Sequence, residues 1–555
     1  MKSLAWRQNK RNCIGAVLIA ALLALFQIVG YSFSKINSWN LWFQNGTTIK
    51  KFLFIWVFIS VVFFFIIFAF WNLLDCMKQN NSEINSKKAD TKKWLLITGV
   101  MVVFWIPYLV ILYPCSANPD VVDQLGQFFH IDSMCRTQNY VNLIDAEKSF
   151  WNNHHPVFHT LILGSFAQIG KWINNIGSGL FILVIIQAIL MAMVFAYMII
   201  YMEKEGVSKK ICLGAFLFYI LWPLNGINVT SLCKDTLFTV FILFNTVQIL
   251  KILKTPDEML KKGKMIINIV AFIVMGLLRN NGLYMLILML PVMLFLLRNY
   301  WKKVVVLMGV PILFLGIILP KIIFPIFEIT PGSEREMLSI PFQQIVRVLK
   351  EKEVQQKDIQ VLENTLASEK EDYHDIVKRY DPKRADSVKG HYNLNLTSSE
   401  KKDFFKVWLK YLFKYPTVYI QAAVNNNYQY VYYERYSKSL AYVYYNGIDI
   451  EGRYFLGVEN NEKFKDVRND MYEIITNIQH SKWLGWIFNI GFYMCVFIVL
   501  VGKSIINWDY KIFWGFGLIF GNILINFLGP VVYMRYAYYF VACIPLYLGL
   551  LTRKK

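Results

Sequence analysis

The chain has 555 residues, of which 56% are hydrophobic and only 17% are charged. Charged residues make up roughly a quarter of an average soluble protein, so the composition excludes that class. The formal net charge of +21 would suit a nucleic-acid partner, but the Lys and Arg residues lie mostly in short segments between apolar runs. We therefore expect no nucleic acid and interpret these residues as the orientation signals of a membrane protein.

Apolar runs long enough to cross about 30 Å of hydrocarbon as helices recur along the chain. They predict an all-α polytopic membrane protein with about 12 transmembrane helices. The predicted spans are residues 13–33, 52–74, 94–113, 178–201, 211–229, 235–253, 265–279, 282–298, 303–325, 482–502, 511–529 and 532–551. Segment 156–173 is also apolar, but Gly164 and Gly170 interrupt it, so we predict an interfacial helix there.

The charges between the spans predict the orientation. With the N-terminus in the cytoplasm, every predicted inner segment is basic, from "MKSLAWRQNKRN" at the start to "TRKK" at the end. Cytoplasmic loops of membrane proteins carry an excess of Lys and Arg. We therefore predict a multi-pass protein of the cell membrane with both termini in the cytoplasm.

This topology divides the chain into four parts. Residues 1–93 form an N-terminal two-span extension with a cytoplasmic loop, and residues 94–325 form a membrane core with a first outer loop at 114–175. Residues 326–481 are a polar, mostly helical extracytoplasmic domain, and residues 482–555 are a C-terminal three-span segment. Within the outer domain, apolar residues at helical spacing with interspersed lysines predict that segment 403–424 lies along the membrane surface.

Polar side chains gather at the outer ends of the predicted spans. Ionisable residues at the edge of a membrane bundle are costly unless they pair or bind something, so several groups at one face predict a shared site. The residues concerned are Asp120, Asp123, His154, His155, Lys234, Asp235, Arg279, Asn280, Gln344, Arg347 and Arg535.

Each of these groups also has a simpler interpretation. Lys234 and Asp235 fit a local ion pair that caps a helix, and Arg279 or Arg535 fits a side chain that snorkels to lipid phosphates. Asp120 and the "NHHP" run both fit helix starts. His155 and His159 lie one helical turn apart, which leaves a divalent metal open, although the zincin pattern has a Glu that is absent here.

The residue types favour one chemistry at this face. Asp120 is placed to take a proton from an acceptor hydroxyl, while Arg and Lys neutralise a leaving phosphate. Nucleotide sugars and ATP are not available outside the cell, so a sugar donor there has to arrive on a lipid. A polyprenyl-phosphate sugar is therefore the expected donor, and membrane lipids are the expected surroundings.

The stretch "YPCSANPDVVDQL" resembles the first extracytoplasmic loop of membrane glycosyltransferases of the GT-C superfamily, in which a catalytic Asp follows a span. The ordered set "YP…D…Q", "NHHPVFHTLILG", "KDTLFT", "LLRNNGLY", "IPFQQIVRV" and "RYAYYF" resembles a bacterial branch of that superfamily whose members are mostly of unknown function. The resemblance runs from about residue 100 to the end of the chain.

This resemblance implies a GT-C-like membrane core and roles for individual residues. Asp120 matches the loop Asp and becomes the catalytic base, and Gln124 matches the polar residue that follows it. Arg279, Arg347 and Arg535 match basic positions that meet phosphate. Cys115 stands where such loops often have Gly, and Asp123 is an additional acid, so the choice between Asp120 and Asp123 as base stays open.

The combined expectation is a glycosyltransferase that moves a sugar from a polyprenyl-phosphate donor to a cell-surface glycan, teichoic acid or lipid. A polysaccharide polymerase that uses the same class of donor is one alternative. A transporter or flippase is another, although transporters usually hold key charges near the midplane on broken helices or repeated halves. The sequence fixes no cofactor, sugar or acceptor.

Overall fold

The computed structural model describes residues 2–79, 91–131, 150–368, 371–433, 458 and 461–553. Regular structure in these ranges is helical, and β-pairing among the described residues is limited to isolated bridges such as the one between Ser116 and Ser231. The all-α prediction is therefore confirmed for the part of the chain that the structure describes.

The helices fall into four groups along the chain. The first group is α1 (Lys2–Ile36), α2 (Gly46–Gln79), α3 (Thr91–Ile111), α4 (Pro119–Phe129), α5 (Val157–Trp172), α6 (Ile176–Lys204), α7 (Lys209–Leu221), α8 (Pro223–Thr230) and α9 (Lys234–Lys254). The second is α10 (Pro256–Met259), α11 (Lys262–Leu278), α12 (Asn281–Leu296), α13 (Trp301–Leu313), a π-helix (Phe314–Ile323) and α14 (Phe324–Ile326). The third is α15 (Ser339–Glu351), α16 (Gln356–Leu366), α17 (Tyr373–Lys378), α18 (Asp386–Lys389), α19 (Ser398–Lys414) and α20 (Pro416–Asn427). The last is α21 (Lys465–His480), α22 (Ile490–Ile506), α23 (Tyr510–Gly515), α24 (Gly517–Asn526) and α25 (Met534–Leu551).

Several of these helices have the length and composition of membrane spans. Within the described ranges, seven qualify: α1, α2, α3, α6, α9, the continuous helix Arg298–Ile326, and α25. The pair α7 and α8, bent by 52° at Trp222, raises the number to eight if it forms one broken span. Helices α12, α22 and α24 are apolar but shorter. Membrane insertion follows from these helices, and the predicted number of 12 spans stays a prediction.

Ion pairs tie the helices together at one end of the bundle. Lys93 at the start of α3 pairs with Glu203 near the end of α6 at 2.5 Å. Lys503 of α22 lies 2.7 Å from Asp75 near the end of α2. The other end, where α3 ends and α9 and α25 begin, holds the polar residues that the sequence singled out, and we call it the site end.

Helices α15 to α20 pack around a second apolar core, separate from that of the bundle. Its members include Phe342 of α15, Leu362 of α16 and Phe404 of α19. We call residues 326–433, which build this core, the outer segment. Its attachments to the site end include hydrogen bonds from the amide of Ala385 to the carbonyl of Pro530 and from the amide of Thr330 to the carbonyl of Trp151.

Candidate functional site

Backbone pairing between two connecting segments brings the C-terminal end of α3 close to the N-terminal end of α9. The amide of Ser116 donates to the carbonyl of Thr230 at 3.0 Å, and the amide of Leu232 donates to that of Ser116 at 3.1 Å. Just beyond this pairing, the Asn118 side chain caps α4 by accepting from the amide of Val121 at 3.1 Å. Asp120 therefore lies in the first turn of α4, opposite Lys234 at the start of α9.

Asp120 is held by two cations. Its Oδ2 accepts from Nη1 of Arg535 at 2.9 Å and from Nζ of Lys234 at 3.2 Å. Burial alone would raise the pKa of the carboxyl, but the charges of Arg535 and Lys234 outweigh it and hold this pKa well below its ordinary value. Asp120 is thus a fully ionised and weakly basic carboxylate in the absence of a ligand.

His155 continues this chain of contacts. Lys234 Nζ lies 2.8 Å from Nδ1 of His155, and Nε2 of the same ring lies 3.9 Å from Oδ2 of Asp123. An ammonium has no acceptor, so Nδ1 must accept and the proton of the neutral ring belongs on Nε2, facing Asp123. Burial, and then the neighbouring charge of Lys234, lower the pKa of His155 well below its ordinary value.

His154 lies against His155, with ring centroids 4.6 Å apart. Burial lowers its pKa to about 4, and the nearby charge of Glu336 from the outer segment opposes that shift only in part. Both histidines are therefore neutral at pH 7. Neither one acts there as a fixed positive charge for an anion.

A second ion pair lies beside the first. Arg279 Nη1 donates to Oδ1 of Asp235, while Arg535 Nη1 lies 3.8 Å from Oδ2 of the same carboxylate. Arg279 occupies the tight connection between α11 and α12, where a Cβ on Gly282 would meet Cα of Gly276 at 2.5 Å. Glycine at these two positions lets the helices approach closely enough to place Arg279 at Asp235.

Two residues of the site carried no recognisable signal in the sequence. Cys233 donates from Sγ to Oδ2 of Asp235 at 3.2 Å and lies 3.4 Å from Nη1 of Arg535. The ring of Tyr536 lies between two guanidiniums, with its centroid 4.9 Å from Arg279 and 4.8 Å from Arg535. An aromatic face next to a cation is stabilising, so Tyr536 helps to accommodate both guanidiniums beside Asp235. Its position directly after Arg535 was the one available hint.

Gln124 takes part in the packing of α4 against α5. Its Nε2 donates to Oγ1 of Thr160 at 3.0 Å, and its Oε1 lies 3.1 Å from Nδ1 of His159. Asn280 lies at the start of α12, where its side chain is exposed and makes no capping bond. In the described part of the chain no three His, Cys, Asp or Glu side chains lie close enough together to hold a metal ion.

The structure does not bring Arg347 and Gln344 to this cluster. Arg347 Nη2 donates to the carbonyl of Asn37 at 2.7 Å, and its Nε lies 2.9 Å from Oε1 of Glu351. Gln344 accepts from Nε1 of Trp408 at 3.1 Å, inside the outer segment. Arg347 therefore helps to hold α15 against the turn after α1, and its charge is already matched by a carboxylate.

We use the term charge cluster for Asp120, Asp123, Lys234, Asp235, Arg279 and Arg535. With the histidines neutral, its three carboxylates balance its three cations. The cations are mostly covered, since Lys234, Arg279 and Arg535 expose only 13%, 13% and 14% of their side chains. An anionic ligand that binds these cations competes with the carboxylates that already pair with them, which favours a strongly charged ligand.

A small pocket opens beside the charge cluster, with a cavity volume of about 30 Å³. Asp235 and Arg535 form part of its wall, and the remaining wall is mostly apolar or uncharged. These other residues are Leu224, Ile227, Asn228, Ser231, Cys233, Thr236, Met534 and Tyr538. A wall that combines charged and apolar side chains suits an amphipathic ligand.

Residues 3–555 match the sequence profile of DUF6020, a family of unknown function, and the chain belongs to that family. Neither the curated proteins nor the solved structures contain a significant match to the chain.

Proposed function

We propose that this DUF6020 protein is a GT-C-type membrane glycosyltransferase that transfers a sugar from a polyprenyl-phosphate donor to a cell-surface glycan, teichoic acid or lipid. The observation that carries the proposal is the double ion pair of Asp120 with Lys234 and Arg535, beside a pocket that is both charged and apolar. A carboxylate held in this way can accept the proton of the acceptor hydroxyl, and the cations beside it can stabilise the leaving phosphate.

Asp120 is the proposed general base. In the transfer, the oxygen of an acceptor hydroxyl forms a bond to the anomeric carbon, and the bond from that carbon to the phosphate oxygen breaks. The hydroxyl proton passes to Asp120, and the electron pair of the broken bond leaves with the polyprenyl phosphate. A positioned base of this kind contributes roughly 10²–10⁴-fold to the rate.

Arg535 and Lys234 are the proposed phosphate ligands, with Arg279 as a third cation. The donor phosphate competes with Asp120 for the same N–H groups, since charge-assisted bonds to phosphate are strong. When the phosphate takes them over, the cause of the low pKa of Asp120 is removed, and the carboxylate becomes a better base. In this mechanism the donor itself activates the base, and the uncharged histidines with Asp123 position Lys234.

The pocket marks the side from which the lipid part of the donor approaches in this proposal. Leu224, Ile227 and Met534 are among the apolar residues that line it. Helix α8, which contributes two of these residues, begins at the 52° bend after α7. Several side chains of α7 face outward from the bundle, among them Leu213, Leu217 and Leu221. A polyprenyl chain that enters from the bilayer past α7 reaches the pocket with its phosphate toward Arg535.

The proposed orientation puts the site end outside the cell and both termini in the cytoplasm. It is supported by the alternation of basic segments and by the chemistry, because a lipid-linked donor is the form available outside. Labelling of a single Cys at Lys357, which is exposed on α16, with a membrane-impermeant maleimide in intact cells tests it. Lack of labelling there, with reaction only after lysis, would reverse the orientation.

Turnover of a lipid-linked sugar tests the function itself. Purified protein in nanodiscs is mixed with a panel of short-chain polyprenyl-phosphate sugars and with membranes from cells that lack the protein. Release of the polyprenyl phosphate is followed by mass spectrometry, with Asp120→Asn as the control. We expect release with at least one sugar, and release slower by at least about 100-fold with the control. No release and no donor-dependent thermal stabilisation across the panel would reject the proposal.

A further inference from the structure

Helix α19 has two apolar stripes, and only one of them is buried. Phe404 and Tyr411 point into the core of the outer segment. On another face, Phe405, Leu409 and Phe413 follow one another at a spacing of four residues, with 41%, 45% and 80% of each residue exposed. Residues at this spacing form one continuous line along a helix. A phenylalanine exposed to this extent is unfavourable in water.

Lysines accompany the exposed stripe. Lys402 and Lys406 are exposed beside the stripe, and Lys406 Nζ also lies 2.8 Å from Oδ1 of the partly exposed Asp403. Two other lysines of α19 are bound within the outer segment: Lys410 Nζ lies 2.6 Å from Oδ2 of Asp358, and Lys401 Nζ lies 2.5 Å from Oε1 of Glu334. An apolar line with basic residues beside it is the pattern of helices that lie in the surface plane of a membrane.

The neighbouring helix α20 fixes the position of α19 relative to the bundle. Ser38 Oγ donates to Oε1 of Gln421 at 2.6 Å, in the turn between α1 and α2. On the opposite side, Asn427 Nδ2 donates to the carbonyl of Phe527 at 2.8 Å, directly after α24. Both contacts are with segments where apolar helices end, so α20 lies at the membrane surface of the site end.

The turn between α1 and α2 also marks the level of that surface. It carries Trp39, Trp42 and Phe43, and the last of these is 47% exposed. Aromatic residues of this kind concentrate where membrane spans meet water. Helix α19 is joined to α20 through Tyr415 alone, so its C-terminal end, with Phe413, lies close to the same level.

We infer that the exposed face of α19, formed by Phe405, Leu409 and Phe413 with Lys402 and Lys406, docks on the lipid surface at the site end of the bundle. The three apolar side chains enter the upper acyl region, and the lysines bind anionic phospholipid headgroups. We favour lipid over a protein partner because α20 already contacts, through Gln421 and Asn427, two segments in which apolar helices of the bundle end. Docking keeps the outer segment fixed above the charge cluster.

A depth measurement in the full-length protein tests this docking. Phe413→Cys carries an environment-sensitive fluorophore, in a background with Ser at Cys13, Cys76, Cys135 and Cys495. The matched control is Lys357→Cys in the same background, because Lys357 is exposed on α16 and is not part of the stripe. Each protein is placed as a single copy in nanodiscs of phosphatidylcholine and phosphatidylglycerol. Quenching is then compared between shallow spin-labelled phospholipids and aqueous iodide.

We expect the label at position 413 to be quenched several-fold more strongly by the spin-labelled lipid than the label at 357, and the reverse order with iodide. Equal quenching of both labels by iodide would show that the stripe faces water. Protection of position 413 from both quenchers would show that protein covers it. Either result overturns the inference.

The role of the lysines has its own arm. Lipid quenching at position 413 is compared in nanodiscs with and without phosphatidylglycerol, for Lys402→Gln/Lys406→Gln and for the equally charged control Lys357→Gln/Lys378→Gln. We expect phosphatidylglycerol to strengthen lipid quenching at position 413 in Lys357→Gln/Lys378→Gln. We expect no such effect in Lys402→Gln/Lys406→Gln. No effect of phosphatidylglycerol in either protein would overturn the binding of anionic headgroups.

Discussion

Arg535 and Asp120, which lie 415 residues apart in the chain, form an ion pair of 2.9 Å at the site end of the bundle. Asp120 belongs to the first turn of the short helix α4, and Arg535 belongs to the first turn of α25. The pair therefore closes the site between an early connecting segment and the last helix. Correct placement of α25 is a condition for holding Asp120, so the C-terminal segment is part of the site.

Replacement of Asp120 is the most direct test of the base. Asp120→Asn keeps the size of the side chain and removes its basicity, so we expect transfer to fall by roughly 10²–10⁴-fold. Donor binding should be retained or strengthened, since the variant frees Lys234 and Arg535 from their carboxylate. The measurements are single-turnover release of polyprenyl phosphate and the donor Kd.

Asp123→Asn is the matched variant, because it removes a carboxylate three residues away that faces His155 at 3.9 Å. We expect only a mild loss, caused by a less firmly oriented His155. A large loss in Asp123→Asn with near-normal transfer in Asp120→Asn would move the base to Asp123. Normal transfer in the double variant would eliminate a carboxylate base from the mechanism.

Arginine substitutions distinguish the cluster from the arginine that lies outside it. Arg535→Gln removes a cation that contacts both Asp120 and Asp235, so donor affinity should fall by about 1.5–3 kcal/mol, roughly 10- to 150-fold in Kd. Arg347→Gln should leave the donor Kd unchanged and lower thermal stability, since Arg347 binds Asn37 and Glu351. Isothermal titration with a short-chain polyprenyl phosphate measures the first effect.

The opposite pattern would argue against the geometry described above. If Arg347→Gln weakened the donor as much as Arg535→Gln, the outer segment would have to move to the charge cluster when the donor binds. Arg347→Lys provides a further check, because it keeps the charge and loses the planar group that reaches Asn37. If Arg347 has a structural role only, both Arg347→Gln and Arg347→Lys should lower thermal stability and leave the donor Kd unchanged.

The sequence was informative where simple geometry applies. Two of the site residues, Asp120 and Arg279, follow the C-terminal ends of apolar helices. The other two, Lys234 and Arg535, lie at the N-terminal ends of such helices. Helices of alternating direction bring these ends to one face of the bundle. Arg347 lacks that constraint because it belongs to a long polar segment with its own core, and nothing local determines how such a segment folds back. Its motif suggested a phosphate ligand, while its contacts are those of a packing residue.

Other contacts had no signal to detect in a single sequence. Cys233 next to Asp235, and Tyr536 between two arginines, follow from side-chain directions that helical periodicity does not determine. The pairing of Lys234 with His155 depends on where the segment after Trp151 turns, and that turn is set by its backbone contacts with Thr330. The number of spans is also undecided by apolar length alone, because α12, α22 and α24 are short.

The opposite end of the bundle offers a test of stability that leaves the site untouched. Lys503 is completely buried and lies 2.7 Å from Asp75 and 2.8 Å from Oδ1 of Asn12. Lys503→Met leaves Asp75 without this partner, so we expect a loss of about 3–5 kcal/mol in the free energy of unfolding. Adding Asp75→Leu should recover much of that loss, because the carboxylate that has lost the Lys503 ammonium is then removed as well.

Thermal unfolding in nanodiscs with a double-mutant cycle measures this coupling. Lys93→Met is the comparison at the same end, since its pair with Glu203 is partly exposed, with 41% of the lysine side chain open. A pair of that kind contributes only about 0–1 kcal/mol. Equal losses in Lys503→Met and Lys93→Met would contradict the view that burial makes the first pair important.

The neutral histidines predict how stability depends on pH. Burial lowers the pKa of His154 to about 4, and that of His155 lies well below its ordinary value. In the unfolded chain a histidine titrates near 6.5. Between about pH 6.5 and pH 4 the unfolded state therefore binds more protons than the folded state, so stability is fully present above this window and is lost as the pH falls through it. Each histidine costs up to about 1.4 kcal/mol per pH unit there. Asp120 has a lowered pKa as well, but its contribution to stability is lost only below about pH 4, where free Asp titrates.

We expect the apparent Tm to fall between pH 7 and pH 5, and the double variant His154→Gln/His155→Gln to reduce the slope of Tm against pH. His374→Gln is the control, because 71% of that side chain is exposed. An unchanged slope in the double variant would mean that His154 and His155 are already charged in the folded protein.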